Sequence, residues 1–361
     1  MAERLMEITQ VDRAIEWQAD HAEQAGAPIT ARVVRAQLAI IGTDTMLAQR
    51  MNDWPGLSLE DAMPLRVAGG LHWLHLAGRE PRLAPVYGGE VTDQAAVDAI
   101  VADVARDHDA VLVPWLDGPP QTNEAGRSAN FMAALLWLSP RLGPRFELNE
   151  IGASAGVNTM IERYRYDLGG VRTGPADSPI QLRPDWRGPP PPPASVEITA
   201  IRGCDAAPVD LADPAQALRL KAYVWPDAPV RMARIDAAAA LAKDHPPDLV
   251  RQDAGSFVAD RLAAPQEAGV TRVIYHSIVW QYLPADTRAA ITEAIERAGT
   301  AATEERPLAW LALETNRETF RHELRVRYWP GGAHAALLAN AHPHGAWINW
   351  QGANPDSVRG S

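Results

Sequence analysis

The thirteen residues Phe146-Glu147-Leu148-Asn149-Glu150-Ile151-Gly152-Ala153-Ser154-Ala155-Gly156-Val157-Asn158 constrain this chain more than any other stretch. They read as a strand that ends in a glycine-bracketed turn and runs into a helix. Such a turn lets a ligand approach bare backbone, and a helix start offers N–H groups without helical partners. That unit belongs to parallel sheets covered by helices, where ligands bind outside the carboxyl ends of strands.

The rest of the chain agrees with this expectation. Strands are expected at Phe146–Ile151, Val196–Ile201, Leu249–Arg251, Arg272–His276 and Leu308–Leu313. Helices are expected at Val157–Tyr164, Ala228–Ala242, Gly255–Leu262 and Ala285–Ala298. After them, Phe320–Tyr328, Trp329-Pro330-Gly331-Gly332, Ala335–Leu338 and Trp347–Trp350 suggest antiparallel strands around tight turns. Residues 1 to about 112 look helical instead. Ile8, Val11 and Ile15 share a helical face, and Gly26 with Pro28 breaks that helix. Thr30 is a candidate cap for a helix carrying Val33, Val34, Leu38 and Ile41. Ser58 with Asp61 has capping-box spacing, and Thr92 is a candidate start for a helix with Val97, Ile100, Val101 and Val104. The reading is an α-helical region over 1–115 and an α/β domain over 116–361. A Pro-rich insertion near 168–194 contains the five prolines 189–193, which read as an extended surface loop.

Composition narrows the function. A net charge of −11 disfavours a nucleic-acid partner. Cys204 is the only cysteine, so no disulfide within the chain and no cysteine-based metal site is expected. His342-Pro343-His344 has no carboxylate nearby in sequence, and no metal is expected. The first residues lack the apolar stretch of a signal peptide, and no run is long enough to cross a bilayer. A cytoplasmic protein with a small-molecule substrate is expected; the oligomeric state is not legible.

The glycine turn resembles two known loops. Glu150-Ile151-Gly152-x-x-x-Gly156-x-Asn158 is similar to the cofactor loop of class I S-adenosylmethionine-dependent methyltransferases, whose Rossmann-like sheet ends in an antiparallel hairpin. That resemblance implies S-adenosylmethionine over Glu150, Gly152, Ala153, Ser154, Gly156 and Asn158. It also implies ribose toward Asp205, adenine toward Asp253, and His276 as general base, with Trp280 and Tyr282 walling a pocket. Gln121-Thr122-Asn123-Glu124-x-x-Arg127 then places Asn123, Glu124 and Arg127 over the cleft, or Glu124 and Arg127 simply pair on a surface. The interval from Gly152 to Asp205 far exceeds the usual gap of about twenty residues, so an insertion is required. Gly152-Ala-Ser154-Ala-Gly156 equally fits the G-x-S-x-G elbow of serine hydrolases, with a later acid and His342 or His344 in the right chain order. A non-catalytic ligand-binding protein on the same fold is the third possibility.

As a set, these segments together with Arg163-Tyr164-x-Tyr166, Gly203-x-Asp205-x-x-Pro208-x-Asp210, Trp225-Pro226-Asp227, Trp329-Pro330-Gly331-Gly332 and His344-Gly345 resemble a bacterial family known as a domain of unknown function. Trp225-Pro226-Asp227 with Arg231 and Arg234 reads as a capped helix start. The family resemblance spans nearly the whole chain and implies a methyltransferase-like domain behind a helical cap.

Overall fold

The structure, a computed structural model, describes residues 9–59 and 61–352. Ile8 and the opening residues of the chain lie outside the described residues. Two compact units emerge: residues up to Thr122 with Asp213–Asp236, and Asn123–Ala212 with the residues from Ala237 onward.

The first unit is helical: α1 (Val11–Gln24), α2 (Pro28–Arg35), α3 (Gln37–Ile41), α4 (Met46–Asn52), α5 (Met63–Leu76), α6 (Ala84–Tyr87), α7 (Gln94–Asp107) and α8 (Asp109–Leu112). Ile15, Val34, Leu47, Met63, Leu71, Val97 and Val104 close its core. Three caps differ from the sequence reading. Thr30 lies inside α2, and the exposed N–H groups of Ile29 and Thr30 are met by the Asp227 carboxylate, each at 2.9 Å. Asp227 therefore caps a helix far away in sequence rather than its own. Ser58 and Asp61 form no capping box: Asp61 accepts from Trp54 Nε1 instead. Asp93, not Thr92, caps α7.

The second unit starts with α9 (Ser128–Leu142) and β1 (Arg145–Ile151). The insertion adds β2 (Arg165–Leu168), β3 (Val171–Thr173), β4 (Gln181–Leu182) and β5 (Asp185–Arg187). Next comes β6 (Glu197–Asp205). The chain then returns to the first unit for α10 (Pro214–Ala222) and the first half of α11 (Pro229–Asp244), before the second unit resumes with β7 (Leu249–Arg251). Then follow α12 (Ala254–Ala263), β8 (Thr271–Ser277), α13 (Ala285–Ala301), β9 (Leu308–Thr315), β10 (His322–Trp329), β11 (Gly332–Ala341) and β12 (Trp347–Trp350). Nine strands form the main sheet in the order β5-β12-β11-β10-β9-β8-β1-β6-β7, while β3-β2-β4 make a small second sheet. β7-β6-β1-β8-β9 are parallel, and β10, β11 and β12 continue antiparallel. This is a mixed α/β fold with a large, mostly parallel sheet. The proline run 189–193 carries no strand, and β5 just before it pairs with β12.

Side-chain alternation assigns the faces of β1. Phe146, Leu148 and Glu150 share the face of α9, where Phe131 meets Tyr275 edge-on at 5.0 Å. Ile151 joins Phe257, Ile274, Ile291 and Ile295 beneath α12 and α13. On that face β1 is also polar: Asn149 accepts from Arg261 Nε at 2.7 Å, and Glu147 from Arg261 at 2.6 Å. Helix α12 brings the partner that lets a buried parallel strand carry these residues. From β1 the chain builds outward to β6 and β7, then crosses back to β8 and β9. The strand order reverses between β1 and β8, so the carboxyl end of β1 is the topological switch point.

Candidate functional site

The turn that leaves β1 is braced from within. Gly152, Ser154 and Gly156 have φ of 66°, 53° and 70°. The left-handed region costs a serine about 1–2 kcal/mol, so its surroundings must hold it there. The Ser154 N–H donates to Asp205 Oδ2 at 2.9 Å, and Ala207 N–H donates to Asp205 Oδ1 at 2.8 Å. The Val157 N–H goes to Asn123 Oδ1 at 2.8 Å. Residues 157–163 form tight 3-10 turns rather than the expected α-helix. The expected row of unpartnered helix N–H groups is therefore reduced. The glycines also serve close packing: the position of a Cβ on Gly152 is filled by Val279, and that on Gly156 by Pro247. A ligand at this turn meets Ser154 and the end of β1, not an open glycine face.

Beneath the turn lies a buried polar cluster. Glu150 is 1% exposed and stands between Gly203 and Tyr275 in register. Burial pushes its carboxyl well above the usual range, against the opposing pull of Arg127, Asn158 and Tyr275. The hydrogen-bond count agrees. The Tyr275 hydroxyl lies 3.4 Å from Glu150 Oε2 and 3.3 Å from the Asn158 carbonyl, so two acceptors face one phenolic proton. The acid form of Glu150, which burial favours, would supply the second proton. Ser128 Oγ donates to Asn158 Oδ1 at 2.8 Å, while Asn158 Nδ2 and Ser154 Oγ are buried without hydrogen-bond partners among the described residues. Such groups are costly to bury, and the Asn158 amide also acts on Glu150, which leaves Ser154 Oγ as the group a bound molecule would satisfy.

Two loops close over the cluster. Glu124 caps a short 3-10 turn through the Gly126 N–H, and Arg127 Nε donates to the Pro343 carbonyl at 2.8 Å. Gly345 has φ of 74° and lies directly against the backbone of Gly126. Both Glu124 and Arg127 are buried. Asn123-Glu124-x-x-Arg127, the glycine turn, Asp205 and His344-Gly345 are scattered in sequence yet meet around the end of β1.

His276 sits on the opposite face. Its Nε2 accepts from Trp310 Nε1 at 3.0 Å, so Nδ1 carries the proton given to Glu314 Oε1 at 2.7 Å. Both ring nitrogens are engaged. Trp280 stacks on this imidazole at 4.8 Å and lines a cavity, whereas Tyr282 is 66% exposed and lies outside it. Asp253 is the N-cap of α12, accepting from Ser256 N–H at 2.9 Å, and these bonds lower its pKa. Ser154 has no imidazole at hydrogen-bond distance. Burial lifts the Cys204 thiol to about 12, which makes it unreactive. Among the described residues no group of three His, Cys, Asp or Glu could hold a metal ion, and no helix is long and apolar enough to cross a membrane.

Tyr275, Ser128 and Glu314 were not singled out in the sequence. The available signal was polarity at the last positions of buried strands, which Tyr275 and Glu314 share with Glu150.

Replacing Glu150 by Gln keeps the shape and removes the proton. A carboxyl raised on folding contributes fully below its unfolded value near 4.5, and that contribution is lost as pH climbs toward the folded value. The melting temperature of Glu150→Gln should therefore match wild type near about pH 4 and exceed it increasingly toward about pH 8. Parallel melting curves across that range would remove the neutral-acid assignment.

No curated protein and no solved structure shows significant similarity to the chain. A family model does match residues 12–350, and on that match the chain belongs to the family described as uncharacterized protein conserved in bacteria (DUF2332).

Proposed function

We propose that this protein is a methyltransferase-like enzyme that binds S-adenosylmethionine at the carboxyl end of β1 and methylates a small molecule. The observation that carries the reading is the reversal of strand order at β1 and β8, with Gly152-x-Ser154-x-Gly156 at that point and Asp205 beside it. The donor set suits the cofactor. Ser154 Oγ has hydrogen-bonding capacity to give, and a neutral Glu150 can donate as well as accept. The Asp205 carboxylate keeps lone pairs for ribose hydroxyls beyond the two N–H groups it holds. The bound cofactor would supply an electrophilic methyl group. Around it, Arg127 and Glu124 would orient an acceptor, and the buried cluster would exclude water. Val279 against Gly152 sets the constraint: the cofactor has to lie along Ser154, or the segment after β8 has to shift.

Calorimetry and thermal unfolding with S-adenosylmethionine and S-adenosylhomocysteine test this. Saturating ligand at a hundredfold excess over Kd raises stability by about 2.7 kcal/mol, and Asp205→Asn should abolish most of that gain. No heat and no melting shift at millimolar ligand would overturn the proposal. The engaged nitrogens of His276 favour a second reading, a ligand-binding protein without turnover. Tight cofactor binding with no methyl transfer across acceptor panels would select it. The left-handed Ser154 is also what a hydrolase elbow requires, and covalent labelling of Ser154 by a fluorophosphonate would displace both readings.

A further inference from the structure

The cavity that Trp280 lines, of about 310 Å³, opens between α13 and strands β9–β11, on the sheet face opposite Glu150, and the proposed cofactor site at the end of β1 does not use it. Two of its lining side chains are small, Ala312 and Ala335. Ala312 pairs with His276 on one side and with Arg325 on the other, on the same face as Trp310 and Glu314. A methyl group at that centre leaves a trough among large neighbours. Trp280 and Trp310 bound it, their rings 5.6 Å apart and inclined by 53°. Thr292 of α13 lies on another side. The volume falls at the lower end of the range of small-molecule sites, about 300–1,000 Å³.

The charges around it are unequally committed. Arg327 is held by Glu296 at 2.7 Å and by the Ala333 carbonyl at 2.8 Å. Glu314 Oε1 takes His276 Nδ1 together with the N–H groups of Val279 and Trp280, so that oxygen is committed to neighbours, and its remaining charge sets an acid group on the Arg325 side of the cavity. Arg325 gives only its Nε–H, to Glu323 at 2.7 Å, and its terminal nitrogens have no partner among the described residues. A guanidinium presents five donors in a fork that fits a carboxylate. Aromatic faces select a planar ring, and the fork selects an acid.

We propose that this cavity binds a planar aromatic carboxylate, its ring against Trp280 and Trp310 and its acid group on Arg325. The site is independent of whether the protein takes S-adenosylmethionine. The probe is 2-naphthoate, titrated by calorimetry and ligand-observed NMR, with 2-naphthamide as the neutral match. Wild type should bind the acid saturably and the amide about tenfold more weakly, a difference of about 1.4 kcal/mol. Ala312→Leu fills the trough and should remove binding, and Arg325→Met should weaken the acid to the level of the amide. Circular dichroism checks the folding of each variant, and Arg325, being half-exposed, is the safer of the two. No saturable binding at millimolar naphthoate, or equal affinity in folded Ala312→Leu, overturns the site. Equal binding of acid and amide, or of acid to wild type and Arg325→Met, overturns the carboxylate assignment.

Discussion

Gly345→Ala should cost on the order of 2–5 kcal/mol of stability, combining a left-handed alanine with overpacking. Gly345 has φ of 74°, and a Cβ there would run into the Gly126 backbone. Neither neighbour can retreat cheaply. Arg127, one residue on from Gly126, is tied to the Pro343 carbonyl, and the Gly345 N–H donates to His342 O at 2.9 Å. The added methyl therefore pushes two loops apart rather than bending one. Because Arg127 is one of the charges that act on Glu150, the damage extends to the polar cluster. Urea unfolding should show a lower midpoint, and, on the proposed function, titration with S-adenosylmethionine should show weakened binding in the protein that remains folded. Gly89→Ala is the control: its φ is 74°, yet nothing lies within 4 Å of its Cβ position, so it should lose only the backbone part. Equal losses at the two positions would refute the close-approach argument.

How much was legible in the sequence depended on how local the cause was. Strands β1, β8 and β9 show as short apolar runs because much of their length is buried, whereas β6 and β7, largely exposed or half-buried, show through their β-branched residues and flanking turns. The three strands β10–β12 show through the turns between them. Contacts that join distant segments left no such trace. β5 is three residues long and pairs in parallel with β12, some 160 residues on, so nothing near Asp185–Arg187 announces a sheet edge. Asp227 looks like the cap of the next helix and instead caps α2. Val157–Arg163 is apolar enough for a helix, yet its first N–H is taken by Asn123, and the segment tightens into 3-10 turns. The candidate site divides in the same way. The glycine turn and Asn123-Glu124-x-x-Arg127 stand out as motifs. Tyr275 and Glu314 acquire a role only once the sheet register sets them beside Glu150 and His276.

Arg272→Met should cost about 3–5 kcal/mol, the loss expected when one member of a buried ion pair is removed. Arg272 is 3% exposed in its side chain and donates four times: twice to Glu147 Oε2 at 3.1 and 3.2 Å, and once each to the Ala264 and Pro265 carbonyls at 2.9 Å. Methionine fills much of the space but satisfies none of those acceptors. Glu147 keeps Arg261, which places the loss toward the lower end of that range. Burial alone would raise the Glu147 pKa, and the bonds to Arg261 and Arg272 reverse this to a net lowering. Its contribution is thus present above the unfolded value near 4.5 and lost as pH falls through the folded value. Arg272→Met should therefore lose less stability than wild type on acidification, so that the two curves approach each other at low pH. Adding Glu147→Leu to Arg272→Met should recover part of the loss, because a pair of apolar side chains leaves no charge stranded. Arg297→Ala, at a pair with both partners more than 70% exposed, should change the midpoint little. A loss at Arg272 no larger than that at Arg297 would mean that the polar stripe of β1 is solvated rather than sealed beneath α12.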